Sequence, residues 1–244
     1  MQVHMAHGFR KTGRILQRLL DEHSAAMGGH VGWGVTVDRA STPCLNANAG
    51  ALDKLQQAEK LEAAGVGVRV QYDDQTRWTF PAIGRRRQHT GGVDIQVVLD
   101  IHDLMQRGSA SDYFTAYVPS VAEYRVWIYR RRHLATYKKV LENPRRATGF
   151  GRNYDNGWVF KLVPRLNRIR QITDASAKAV DTLGLDFGAV DVLLTPEDRA
   201  VVLEVNTAPG IESESRAGIR NLAEKMIRWH DLGFPRRSGD DSPR

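Results

Sequence analysis

A chain of 244 residues with 41% hydrophobic and 26% charged residues is long enough to bury a sizeable core and too apolar for wholesale disorder. Thirty-five basic against 28 acidic residues leave a net charge of +7, which suits nucleotides, acidic peptides or nucleic acid alike. A single cysteine, Cys44, excludes an internal disulfide, and no apolar run approaches the roughly 20 residues that span a bilayer; with no signal peptide visible, these features point to a cytoplasmic protein.

Residues 1–11 carry no pattern. Ile15, Leu16, Leu19 and Leu20 then recur at helical spacing, which predicts a helix from residue 12 to about 26, ending at Gly28-Gly29. Residues 29–50 read as loop-rich, with one short strand at 34–37. A short helix follows, with Asp53 near its N-terminus and Gly65 as its stop. Residues 78–85 are a strand candidate that runs into Arg85-Arg-Arg and then His89-Thr-Gly-Gly92. Between 121 and 129, Tyr124, Val126 and Ile128 alternate with Glu123, Arg125 and Trp127, as along a strand with one apolar face. Arg130-Arg-Arg-His133 turns the chain into 134–140. The loop 149–157 contains Arg152, Asn153 and an Asn-Gly turn, and 158–163 is another strand. Ile169, Ile172, Ser176, Val180 and Leu183 trace one helix face that stops at Gly184. Ile219, Leu222, Met226 and Trp229 trace another, before a Pro-, Ser- and Asp-rich tail at 234–244 expected to be disordered.

Chemistry concentrates between the last two helices. Two β-branched runs, 189–194 and 200–205, flank Pro196-Glu-Asp-Arg199 and predict a hairpin. A four-residue loop would pair Thr195 with Ala200, Leu193 with Val202 and Asp191 with Glu204. Glu204 and Asn206 then share a face with Asp191 opposite. Opposed acids repel at roughly 5 Å between Cβ atoms. A hard cation held by oxygen ligands resolves that repulsion; a solvated hairpin face is the plainer alternative.

Asp191, Glu204 and Asn206, thirteen and then two residues apart and followed by Thr-Ala-Pro-Gly210, resemble the metal-binding end of the ATP-grasp ligases. That family includes the D-alanine–D-alanine ligases and the ribosomal-protein glutamate ligases. The resemblance covers roughly residues 50–230. It implies an α+β ATP-grasp fold, with two α/β subdomains clamping ATP over 51–233 and a shortened N-terminal region at 1–50. It also implies Mg²⁺, two ions or Mn²⁺ in their place, on Asp191, Glu204 and Asn206. Lys54 would contact ATP phosphate, where position alone would leave it a surface lysine. Arg85 stands in the place of the family's strand-ending lysine, with Thr90, Gly91 and Gly92 in the loop that closes over the phosphates. Tyr117 and Val118 belong to the hinge that reads adenine, Glu123 would accept from the ribose hydroxyls, and Leu203 would lie beside the nucleotide. Arg125 would sit over an acyl phosphate, joined by Arg152 and Asn153 from the loop. The D-alanine ligases carry an arginine two residues before the metal aspartate; Ala189 here tilts the comparison to the glutamate-ligase branch.

The implied activity is carboxylate–amine ligation through an acyl phosphate, with ATP, a carboxylate and an amine (small molecule or polypeptide terminus) as partners and no membrane. A phosphotransferase on the same fold is one alternative. A nucleic-acid module built on the arginine runs 85–87, 130–132 and 145–146 is another, but it leaves the Asp/Glu/Asn hairpin unexplained.

Overall fold

The computed structural model describes residues 1–23, 27–38, 43–72, 77–87, 95–107, 110–147, 152–164, 170–210 and 216–234. Three sheets organise them. The first is N-terminal: β1 (Gln2–Met5), β2 (His30–Trp33) and β3 (Cys44–Leu45) lie parallel with β2 central, and helix α1 (Arg10–His23) makes the crossover. Leu16 and Leu20 of α1 pack with Val3, Val31, Trp33 and Leu45. Strand β1 is too short for alternation to reveal it in sequence. The strand expected at 34–37 lies instead at His30–Trp33, because Gly34, at φ +71°, turns the chain away from the sheet.

The second sheet, in the order β4-β7-β5-β6, is antiparallel: β4 (Val70–Gln71), β5 (Ala82–Arg85), β6 (Gln96–Val98) and β7 (Tyr113–Ala116). Helices α2 (Lys54–Ala63) and α3 (Ile101–Arg107) accompany it. Asp53 caps α2 through a reciprocal box with Gln56, and Gly65 at φ +71° ends the turn that follows. The strand expected over 78–85 shortens to Ala82–Arg85 because Trp78 packs its ring against Phe80 and Phe114 instead of joining the ladder.

The third sheet is also antiparallel, in the order β10-β9-β8-β11-β12: β8 (Ala122–Tyr129), β9 (Arg132–Leu141), β10 (Trp158–Leu162), β11 (Phe187–Leu194) and β12 (Ala200–Asn206). Strand β11, between β8 and β12, is buried along its whole length. One face packs on α4 (Arg170–Thr182) through Tyr124, Val126, Ile128, Val190, Val192 and Val202. The other face divides. Trp127, Tyr129, Phe187 and Ala189 pack on α1 and on α5 (Ala217–Asp231), while Glu123, Arg125, Asp191, Glu204 and Asn206 take the remaining end. Alternation expected from 121 to 129 is therefore borne out. Among the described residues no helix is long and apolar enough to cross a membrane.

One asparagine ties the N-terminal sheet to the start of β11. Asn46, 1% exposed and at φ +51°, donates its amide to the Phe187 carbonyl at 2.8 Å. Its Oδ1 accepts from the N–H groups of Asp186 (2.7 Å) and Phe187 (3.0 Å), and its own N–H reaches Asp186 Oδ2 at 2.8 Å. Asp186 in turn takes the Arg130 guanidinium at 3.2 Å, and Arg130 covers the Trp229 ring at 5.2 Å. Asn46→Ala strands three buried backbone groups and forces alanine into a left-handed conformation. Urea unfolding should show a loss of about 2–4 kcal/mol.

Candidate active site

The acids owe their positions to an irregularity in the hairpin. Leu194 pairs with Ala200, Leu193 with Val201 and Val192 with Val202, so the loop holds five residues rather than four. The register then shifts by one, and Asp191 pairs with Glu204 as expected. Leu203 is the extra residue. By bulging there, β12 sends Val202 and Val205, three apart, into the core against α4, and turns Glu204 and Asn206 together to the open face.

On that face Asp191 lies between Glu204 on β12 and Arg125 on β8. Arg125 binds it through both nitrogens of a fork: Nε to Oδ1 at 2.6 Å and Nη2 to Oδ2 at 2.7 Å. The Asn206 amide donates to the same Oδ2 at 3.2 Å. Glu204 Oε2 accepts from Lys54 Nζ at 2.9 Å, which brings the first residue of α2 onto the third sheet. Burial would raise the Glu204 carboxyl, but the charges of Lys54, Arg85 and Arg125 outweigh it and hold the group well below the usual carboxylate range.

The donor set fits a hard cation. Among the described residues no three His, Cys, Asp or Glu side chains surround a common point, but two carboxylates and an amide share this face. Each carboxylate offers about four lone-pair positions, and only part of them is taken by Arg125, Asn206 and Lys54. A half-turn of the Asn206 amide presents its oxygen to Asp191's neighbour position.

Arg85 closes the second sheet's side. It ends β5 opposite Tyr113, whose hydroxyl burial pushes up to about 12, and its charge reaches Glu204. Its buried Nε has no hydrogen-bond partner among the described residues. The rest of that arginine run is spent on acids: Arg87 Nη1 meets Asp53 at 3.1 Å and Arg86 meets Asp112 at 3.5 Å. Thr90, Gly91 and Gly92 lie outside the described residues. Tyr117 and Val118 form the link between β7 and β8, where the Tyr117 N–H donates to the Pro81 carbonyl at 2.9 Å.

At the other end of the face Glu123 is buried beside Lys139, which donates to its Oε1; Arg152 Nη1 stands 4.0 Å from Oε2. Burial pushes the Glu123 carboxyl up and the Lys139 charge pulls against it. Arg125 and Lys139 both cover the Phe160 ring, at 4.5 and 4.9 Å, and Arg152 covers Trp158 at 5.2 Å. Asn153 Oδ1 accepts from the Asn156 N–H at 2.9 Å and shapes the turn before β10. Sequence reading did not single out Lys139 or Phe160. Strand alternation two residues past Tyr137 was the available signal for Lys139; nothing in the sequence marks Phe160.

Residues 140–230 match the family model described as the RimK-like ATP-grasp domain. Over 90 residues, 37% of this chain and 29% of the relative, the chain is 34% identical to the ribosomal protein bS6–L-glutamate ligase of Salmonella paratyphi B. The match thus spans less than a third of the length of the curated relatives. Among solved structures, the ATP-grasp ligase PsnB complexed with minimal precursor superposes with a TM-score of 0.66 at 13% identity, covering 93% of this chain and 98% of that one. D-alanine–D-alanine ligase from Bacillus anthracis superposes at 0.65 with 14% identity, covering 96% and 99%. PsnB has also been solved with Mg and ADP, and the B. anthracis ligase with ATP. The architecture is the ATP-grasp fold, as expected from sequence. Within that class, the stretch holding β10, α4, the hairpin and most of α5 is RimK-like.

The Lys54–Glu204 pair has a pH signature. A carboxyl depressed by folding contributes stability that is present above its unfolded value, about pH 4.3, and lost as pH falls toward its folded value. Lys54→Met should move the Glu204 carboxyl up in a ¹³C-detected titration. The stability gap between variant and wild type in urea should narrow below about pH 4. An unchanged carboxyl titration would contradict the pairing.

Proposed function

We propose that the chain is an ATP-dependent ligase that joins a carboxylate to an amine through an acyl phosphate and releases ADP and phosphate. The observation that carries this reading is one face on which Asp191, Glu204 and Asn206 converge while Lys54 and Arg85 approach from the neighbouring elements. Its RimK-like stretch and its likeness to named ligases support the same reading.

Asp191, Glu204 and Asn206 would hold Mg²⁺, which supplies charge neutralisation on the transferring phosphoryl group. Lys54 and Arg85 hold phosphate oxygens, Arg85 with an N–H already desolvated and unspent. Tyr117 and Val118 sit at the link where adenine would be read. Glu123, kept in place by Lys139, would face the ribose, and half-buried Leu203 would line the nucleotide's path. A substrate carboxylate oxygen attacks the γ-phosphorus, and the bond to the β-phosphate oxygen breaks. The acyl phosphate so formed carries charge that Arg125 and Arg152 are placed to meet. An amine then attacks the carbonyl carbon, loses a proton, and phosphate leaves with one oxygen of the original carboxylate.

Asp191→Asn and Glu204→Gln should each abolish Mg²⁺-dependent ATP turnover in a coupled ADP assay while the circular dichroism spectrum stays that of wild type. Arg85→Ala should weaken nucleotide binding by about ten- to a hundredfold, the loss of one charge-assisted hydrogen bond. With ¹⁸O-labelled carboxylate substrate, label should appear in inorganic phosphate. Label retained wholly in product, or a stable phosphoester as product, would overturn the ligase reading.

A further inference from the structure

The outer face of the N-terminal sheet gathers three side chains of metal-ligand type that the candidate active site does not use. In the strand register His30 lies beside Gln2 on β1 and beside Cys44 on β3, and His4 lies beside Gly32. Alternation therefore puts His4, His30 and Cys44 on one face, while Val3, Val31, Trp33 and Leu45 take the other and fill the core against α1. His4 and His30 are diagonal neighbours, and their rings meet because the residue directly beside His4 is glycine. A Cβ at Gly32 would fall 2.3 Å from the Asn46 carbonyl oxygen, so that position can carry no side chain to part them.

His4 Nε2 and His30 Nδ1 stand 2.9 Å apart. Two nitrogens each about 2.1 Å from one metal ion lie about 3.0–3.4 Å apart, from square to tetrahedral angles. A small parting of the rings meets that spacing. Among the described residues neither ring has a carboxylate partner or a second side-chain hydrogen bond. Burial, with the neighbouring ring acting in the same sense, pushes the His4 imidazole below its usual value and keeps it neutral, the form that ligates. Cys44 is half-buried on the next strand, about 4.8 Å across the sheet from His30. Its thiol donates to the Leu45 carbonyl at 3.5 Å, a weak bond that is given up when the sulfur becomes a thiolate and turns outward over the imidazoles.

We propose that His4, His30 and Cys44 bind a borderline divalent transition ion of the Zn²⁺ type and so close a clip across all three strands of the N-terminal sheet. Imidazole and thiolate select against Mg²⁺, which takes oxygen, so this site and the acid cluster on the third sheet call for different ions. The clip is structural. It ties β1 at one edge to β3 at the other, and β3 runs directly into Asn46, which holds the backbone at the start of β11. An ion bound by the folded chain alone raises stability as its concentration rises.

A Co²⁺ titration followed by absorbance, in excess Mg²⁺ and without nucleotide, tests the site. One equivalent should bind and produce a thiolate-to-metal charge-transfer band; Cys44 is the chain's single cysteine, so the band has one source. Zn²⁺ should displace Co²⁺, bleach the band and raise the melting temperature. His4→Gln/His30→Gln should weaken Co²⁺ binding by about tenfold or more, and Cys44→Ser should abolish the band. Asp191→Asn, which alters only the acid cluster, should leave the titration as in wild type. In wild type itself, Zn²⁺ should shift the ring ¹⁵N resonances of His4 and His30 and leave the other histidines in place. Equal Co²⁺ affinity in wild type and the double histidine variant overturns the proposal, as does binding without the band or a Zn²⁺ shift at other histidines instead. None of these readouts involves ATP turnover, so the clip and the ligase reading fail separately.

Discussion

Side chains alternate along a strand, so a hairpin cannot send two residues three apart into the same core unless the alternation is broken once. Leu203 breaks it. Val202 and Val205 both enter the core against α4, and Glu204 and Asn206 both come to the open face beside Asp191. Without that extra residue, the five-residue loop would offset the strands by one and place Asp191 opposite Leu203. The acid pair, the Lys54 contact from α2 and the convergence with Arg125 all follow from this one shift.

Charge then determines what that face can tolerate. Among the described residues Lys54, Arg85, Arg125, Lys139 and Arg152 are five cations around three acids, Glu123, Asp191 and Glu204, a surplus of two. Each acid has an assigned cation, and the surplus sits where Arg85 and Arg152 are only loosely engaged. Such a site is preorganised for a polyanion. The rings of Phe160 and Trp158 hold three of the cations in place without consuming their hydrogen-bonding capacity, as a carboxylate would.

The N-terminal sheet is joined to this machinery by polar rather than merely apolar contacts. Asn46 completes the hydrogen bonding of the backbone just before and at the start of β11, so that strand is positioned by the residue that directly follows β3. The same junction orients α1 against α5 and sets Phe9 beside Ala208.

Much of this was legible in the sequence because it is local. Asp53 and Gly65 bracket α2, Ile219, Leu222, Met226 and Trp229 mark the buried side of α5, and alternation from 121 to 129 separates Glu123 and Arg125 from the core; each rests on a period or a cap within a few residues. The pairing of Asp191 with Glu204 was also legible, although through a loop one residue too short whose error the bulge cancels. What the sequence left open is whatever depends on partners distant in the chain. Arg125 goes to Asp191, 66 residues on, and Glu123 to Lys139, 16 residues on. Asn153 bonds within its own turn, and Gly34 ends a strand that composition placed after it. Backbone periodicity is set by sterics within a few residues, and sequence carries it; the choice among charge partners is set by which strands the folded sheet puts side by side.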